Sequence, residues 1–167
     1  NIMLEGQIAL VTGASRGIGA AIAQELGKKG AVVVGTATTQ NGADAISAAL
    51  KDAGIKGCGI ALDVNDNEQI QATLKTIAEQ FGDVSILVNN AGIIMRSPAA
   101  EHPDEYWDQI IEINLNSQFV ITREIGKRMV EQKSGKIIFT CSLLSFQGGI
   151  NVPGYAASKG AVTSLLK

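Results

Sequence analysis

Metal-binding residues are scarce in this sequence. One histidine, His102, and two cysteines, Cys58 and Cys141, occur in 167 residues. A zinc or iron centre has almost no ligands to draw on, so no metal site is expected. Both cysteines lie inside apolar runs, GCGIAL and IIFTCS, far apart in the chain. That suits two buried free thiols better than a disulfide. Long apolar runs are missing too, since none approaches the ~20 residues that cross a bilayer, and no membrane partner is expected. The amino end lacks a basic region followed by a long apolar stretch, which argues against a secretory leader and for a cytoplasmic protein. The formal net charge is −2, from 14 Lys+Arg against 16 Asp+Glu. Without a basic footprint, nucleic acid is not an expected partner. No block of like charges marks a tail or a membrane-surface patch.

Proline is rare and glycine common, three against nineteen, which fits tight turns and close backbone approaches rather than a flexible linker. Hydrophobic residues make up 46% and charged residues 18%, the balance of a globular chain. The length fits one domain, taken as 1–167. Short apolar runs alternate with stretches of helical period, the pattern of βαβ units and a parallel sheet. The strand candidates are 8–12, 31–36, 58–63, 86–90 and 136–141, nearly continuous in Val, Ile and Leu as strands buried on both faces should be. Helices are expected over 17–29, with Ile18, Ile22 and Leu26 on one stripe, and over 41–52. A third is expected over 66–81, with Asp66 as cap and Ile70, Leu74 and Ile77 inward. The stretches 104–131 and 153–167 complete the set. The fold class read from this alternation is α/β, a doubly wound, Rossmann-like parallel sheet.

Thr12-Gly13-Ala14-Ser15-Arg16-Gly17-Ile18-Gly19 follows the first strand and opens a helix. Small residues there let the backbone turn sharply and approach a pyrophosphate, whose charge a helix N-terminus favours. The spacing is G-x-x-x-G-x-G, not the commoner G-x-G-x-x-G, and three glycines in a tight turn can also be purely structural. The position directly after the first buried strand favours a nucleotide site. NAD-binding folds of this kind usually carry an acidic residue ~20 residues past the turn. Here the second strand runs out through Thr36, Ala37, Thr38 and Thr39 with no carboxylate before Asp44. Arg16, within the turn, is able to pair with a 2′-phosphate, although it also reads as a plain surface arginine. The cofactor expected is NADP(H), with NAD(H) as the alternative.

Tyr155 and Lys159 are four apart in GYAASKGAV, which places them one turn apart on one helix face. A phenol has a pKa near ~10, and a nearby ammonium lowers it toward acid/base use at neutral pH. Chance supplies many such pairs, and alone this one carries little. It does not stand alone. Thr12-Gly13, Gly17 and Gly19, then Asn89-Asn90-Ala91-Gly92, Asn114, Ser142 and Tyr155-x-x-x-Lys159 follow one another in the order and spacing of a known family. From Gly6 through Lys167 the chain resembles the short-chain dehydrogenase/reductases.

That resemblance implies roles residue by residue. Tyr155 would protonate the carbonyl oxygen, and Ser142 would orient it. Lys159 would hold the nicotinamide ribose and lower the Tyr155 pKa. Asn114 would support a water-linked proton relay behind Lys159. Gly13, Ser15, Arg16, Gly17, Ile18, Gly19 and Thr38 would contact the cofactor, with Asp63 and Val64 at the adenine and Asn90, Ala91 and Gly92 along the groove. It also implies a sheet order of 3-2-1-4-5.

Residues 4–93 look most like 3-oxoacyl-[acyl-carrier-protein] reductases, which use NADPH. From about Ile94 onward, and particularly in SLLSFQGGINVPGYAASK, the likeness shifts to sugar-acid dehydrogenases of the deoxygluconate type. A mosaic, a chimera or ordinary divergence would each explain the split. Family members continue past the equivalent of Lys167 through further strands and a substrate lid, so the fifth strand would show an uncovered apolar edge (Ile137, Ile138, Phe139) and favour a homo-oligomer. Three functions remain in play: an NADPH-dependent reductase of a ketone such as a 3-oxoacyl thioester, a sugar-acid dehydrogenase, and a nucleotide-binding scaffold with little turnover. The first two would interconvert a small-molecule ketone and its alcohol.

Overall fold

The Val- and Ile-rich runs become strands because β-branched side chains pack well on a pleated surface and lose χ1 freedom in helices. The computed structural model describes residues 3–64, 66–90 and 118–139. In chain order the elements are β1 (Ile8–Val11), α1 (Gly17–Lys28), β2 (Val32–Ala37), α2 (Gln40–Asp52), β3 (Gly57–Ala61), α3 (Asn67–Gln80), β4 (Ile86–Asn89), α4 (Gln118–Gln132) and β5 (Lys136–Phe139). The five strands pair in parallel in the order β3-β2-β1-β4-β5. The chain thus builds outward from β1 to β3, then crosses back to set β4 on the other side of β1. The expected alternation and strand order are those observed. Within the stretch read as one helix over 104–131, helix is described from Gln118, and residues 104–117 lie outside the described residues, as does 153–167.

Successive side chains of β1 point to opposite faces, and each face has its own core. Leu10 joins Leu74, Ile77, Leu87, Ile121 and Ile125 on the face covered by α3 and α4. Ala9 and Val11 join Val33, Val88, Ile46 and Leu50 on the face covered by α1 and α2. Each fully buried Leu or Ile contributes about 1.5–3 kcal/mol relative to exposure, so both faces must be covered for the sheet to persist.

One helix departs from its expected stripe. On α1 the buried residues are Gly19 and Ala23, with Ile22 and Leu26 partly buried, while Ile18 is 54% exposed. At its two inner glycines the helix lies too close to its neighbours for any side chain. A Cβ on Gly19 would strike the Gly13 carbonyl, and one on Gly27 would strike Ile55. Cys58 departs too, being half-buried rather than buried, with burial still pushing its thiol pKa up. It sits on the edge strand β3, one of whose outward N–H groups, that of Gly59, is covered by the Ser47 hydroxyl of α2 at 2.8 Å. Covering an edge donor in this way blunts pairing with foreign strands.

Three of the four described helices close in a common manner at their carboxyl ends. After α1, Gly30 N–H donates to the Gly27 carbonyl and Ala31 N–H to that of Leu26. After α2, Gly54 and Ile55 repeat the pattern onto Lys51 and Leu50. Both glycines have positive φ, 102° and 71°, as a Schellman closure requires. After α4 the same two bonds form from Lys133 to Val130 and from Ser134 to Met129. The left-handed position is there held by Lys133, φ 57°, at a steric cost that glycine avoids.

Candidate functional site

In an open parallel sheet, ligands collect outside the carboxyl ends of the strands where the strand order reverses. That point lies between β1 and β4, and the sequence fills it with hydroxyl and amide side chains. Thr12, fully buried after β1, donates its hydroxyl toward the Val88 carbonyl (3.4 Å) and accepts from the Asn90 backbone N–H (2.8 Å). The Asn90 side-chain amide donates to the Gly13 carbonyl at 3.1 Å. On the other flank, Gly13 N–H donates to the buried Thr36 hydroxyl of β2 (3.3 Å) and Ala14 N–H to the Thr36 carbonyl (2.9 Å). The glycine turn is therefore clasped from β2 and β4 together. Neither Thr12 nor Thr36 stands out as a site residue on propensity. Thr12 was visible only within the TG motif, and Thr36 has no local signal because its role depends on strand register.

The clasp sets the shape of the turn. Gly13 and Gly17 take φ of 62° and 63°, in the left-handed region where a Cβ is unfavourable. Gly19 is pressed against the Gly13 carbonyl and the Asn90 amide, so close that any Cβ would fill the gap. Ser15, Arg16, Gly17 and Ile18 are all exposed on the rim. Arg16 is the residue before α1, extended in backbone, and offers no side-chain acceptor to the helix. The first N–H groups of a helix have no partner within it, and here the cap supplies none. The first turn also carries no acidic residue, so the positive end of the helix dipole is uncompensated. The donor set, the lack of carboxylate and the close backbone approach fit the pyrophosphate of a dinucleotide.

The neighbouring helix begins beside this turn. A Cβ on Gly42, in the first turn of α2, would lie 3.7 Å from Ser15 Cβ. The start of α2 has no acidic residue either, and Thr39 caps it by accepting from Gly42 N–H at 3.0 Å. Thr38, directly after β2, is exposed. The first carboxylate beyond β2, Asp44, accepts a hydrogen bond from the Gln40 amide at 2.9 Å on the flank of α2. Asp63, exposed after β3, donates its backbone N–H to Gln69 Oε1 at 3.0 Å, and Val64 behind it is buried. The expected helix cap Asp66 does accept from Gln69 N–H, at 3.1 Å.

One edge of the sheet thus gathers Gly13, Ser15, Arg16, Gly17, Ile18, Gly19, Thr38, Asp63, Val64 and Asn90. The remaining sequence candidates, Ala91, Gly92, Asn114, Ser142, Tyr155 and Lys159, lie outside the described residues. So does Cys141. Among the described residues no group of three or more His, Cys, Asp or Glu is placed to hold a metal, and no helix is long and apolar enough to cross a membrane.

Comparison with known proteins agrees with this geometry. A family model described as short chain dehydrogenase matches residues 7–167. A 2-dehydro-3-deoxy-D-gluconate 5-dehydrogenase from Pseudoalteromonas atlantica is 52% identical over 165 residues, covering 98% of this chain and 65% of that protein. A 3-oxoacyl-[acyl-carrier-protein] reductase from Escherichia coli is 45% identical over 163 residues, covering 98% and 66%. Each kind of relative therefore matches along both halves of the chain. Among solved structures, one provisionally assigned as an NAD(P) dependent gluconate 5-dehydrogenase from Beutenbergia cavernae, with NADP bound at low occupancy, superposes with a TM-score of 0.86. It is 39% identical and is matched over 98% of this chain and 65% of its own. The chain spans about two thirds of the length of these relatives.

Proposed function

The chain belongs to the short chain dehydrogenase family, and from that premise we propose that it is an NADPH-dependent carbonyl reductase acting on a ketone such as a 3-oxoacyl thioester. The observation that carries the cofactor half of this reading is the open amino end of α1. Its turn is clasped by Thr36 and Asn90 and is free of carboxylate. NADP(H) is preferred over NAD(H) because Arg16 and Thr38 border the site while Asp44 is engaged with Gln40. Asp63 and Val64 would bound the adenine end, Ser15, Gly17, Ile18 and Gly19 would approach the pyrophosphate, and Asn90, with Ala91 and Gly92 next in the sequence, would contact the rest of the cofactor.

A reduced nicotinamide, when bound, supplies the hydride that reduces the ketone carbon. The chain's own residues handle the oxygen. Tyr155 gives the proton of its hydroxyl to the carbonyl oxygen, completing the alcohol. Lys159, four positions on in the sequence, would stabilise the resulting phenolate and so make that proton easier to give. Ser142 donates a hydrogen bond to the same oxygen and fixes its direction. Asn114 supports the return of a proton behind Lys159.

A sugar-acid substrate is the second reading, favoured by the 52% identity to a deoxygluconate dehydrogenase. NADPH oxidation measured with a 3-oxoacyl thioester and with a deoxygluconate-type keto acid, each repeated with NADH, separates the two. Turnover on the thioester with NADPH is the expected result. Absence of NADPH binding by fluorescence titration overturns the whole reading. Binding without consumption on a panel of ketones assigns the third alternative, a nucleotide-binding scaffold. The protein is further proposed to act in the cytoplasm as a homo-oligomer. Exposed Val130 on α4 and Ile138 on β5, 78% and 39% accessible, are apolar surface that a second copy would cover. A monomer by light scattering rejects that part alone.

A further inference from the structure

The interface between α4 and the sheet is apolar almost throughout, with Ile121, Ile125 and Met129 buried against Leu87. Among the described residues a side-chain hydrogen bond crosses it. Asn89, 1% exposed at the last position of β4, donates its side-chain amide to the Thr122 hydroxyl of α4 at 2.9 Å. A buried amide must be matched by a partner, so this bond fixes where α4 sits along the strand in a way that interchangeable Ile and Leu contacts do not. Asn89 is also the residue directly before Asn90, whose backbone N–H reaches Thr12 and whose side chain holds the Gly13 carbonyl. A twist of the Asn89 peptide therefore reaches the glycine turn within one residue.

We propose that Thr122 is a positioning residue for nucleotide binding: through Asn89 and then Asn90 it holds the glycine turn in its binding shape from the far side of β4, touching no ligand itself. The inference rests on the nucleotide-binding reading above. α4 and the cofactor turn then act mechanically as one unit, and a substitution on α4 loosens the turn without altering any group that meets the nucleotide.

Thr122→Val tests it, because valine keeps the shape and removes the hydroxyl. Two measurements on the full chain are paired: NADPH affinity by fluorescence titration, and amide hydrogen exchange of the nucleotide-free protein at Gly13 and Asn90, with Val33 of β2 as internal reference. The loss of one buried hydrogen bond predicts affinity weaker by about fivefold and exchange faster by about fivefold at Gly13 and Asn90 relative to Val33. Thr122→Ser, which restores the hydroxyl, returns both to within about twofold. Ile125→Val, which thins the same interface without touching the polar bond, lowers the melting temperature but leaves both readouts unchanged. Exchange at Gly13 and Asn90 that stays level with Val33 in Thr122→Val overturns the proposal, as does an equal effect from Ile125→Val. If the wild type fails to bind NADPH, the nucleotide-binding reading falls by itself, and the exchange comparison still decides whether α4 holds the turn.

Discussion

The amino ends of α2 and α3 are closed by their own side chains, whereas that of α1 is left open. Thr39 accepts from Gly42 N–H, and Asp66 accepts from Gln69 N–H with Glu68 in the same first turn. Arg16, at the equivalent place before α1, accepts nothing with its side chain and brings a positive charge to the positive end of the helix. All three helices start along the same edge of the sheet, so the difference is not one of location. A cap typically contributes about 1 kcal/mol, and of these three helices it is α1, starting where the strand order reverses, that forgoes it. The stability is recovered beside the helix, where Thr12, Thr36 and Asn90 hold the turn from two neighbouring strands. Closed ends hold the fold, and the open end is available to a ligand.

The contrast can be broken most severely at Gly19. Gly19→Ala puts a Cβ into the Gly13 carbonyl and the Asn90 amide. Forcing that contact costs about 1–3 kcal/mol, and NADPH affinity is expected to fall by about tenfold to a hundredfold in a fluorescence titration. Unchanged affinity would mean that the turn does not form the site. Arg16→Asp sharpens the comparison by making α1 resemble α3. A carboxylate at the cap is expected to raise unfolding stability by about 0.5–1 kcal/mol. The same carboxylate should weaken NADPH binding by about tenfold through repulsion of phosphate, more at low salt than at high. If denaturant melts and titrations move in the same direction, the opposition between capping and binding is wrong.

Asp66→Ala makes the reverse change and opens α3. Urea unfolding should show a loss of about 1 kcal/mol with no change in NADPH affinity. A weakened affinity would place α3 in the site and erase the distinction between the two helix starts. The smallest effect is expected at the other end of a helix. Lys133→Gly relieves the left-handed strain after α4 and should stabilise by about 0.5–1 kcal/mol, raising the melting temperature by a few degrees. No gain would show that the Lys133 side chain makes compensating contacts.

Much of this architecture was legible in the chain itself. Buried parallel strands need runs of β-branched residues, helices between them need a 3.6-residue period, and both patterns are local properties. The glycine turn was legible for the same reason, since left-handed φ and close backbone approach admit little besides glycine. The cap Asp66 could be read from its position before an apolar period. Of the expected α1 stripe, Ile22 and Leu26 do pack against the core, but Ile18 is exposed and Gly19 and Ala23 lie deeper, because periodicity describes which residues share a face, not how near that face lies to its neighbours. The close approach of Gly19 to Gly13 and Asn90, with Ala23 buried and Ile18 exposed, is visible only in the tertiary structure.

Composition, period and the order of the motifs determined the α/β class, the place of the nucleotide turn and the want of a carboxylate after β2. Tertiary structure alone decided how that turn is held. Thr12 meets Asn90 across 78 positions, Gly13 meets Thr36 across 23, and Asn89 meets Thr122 across 33. Such pairs leave no local trace, because a hydroxyl or amide becomes a clasp only when strand register brings its partner within hydrogen-bond reach.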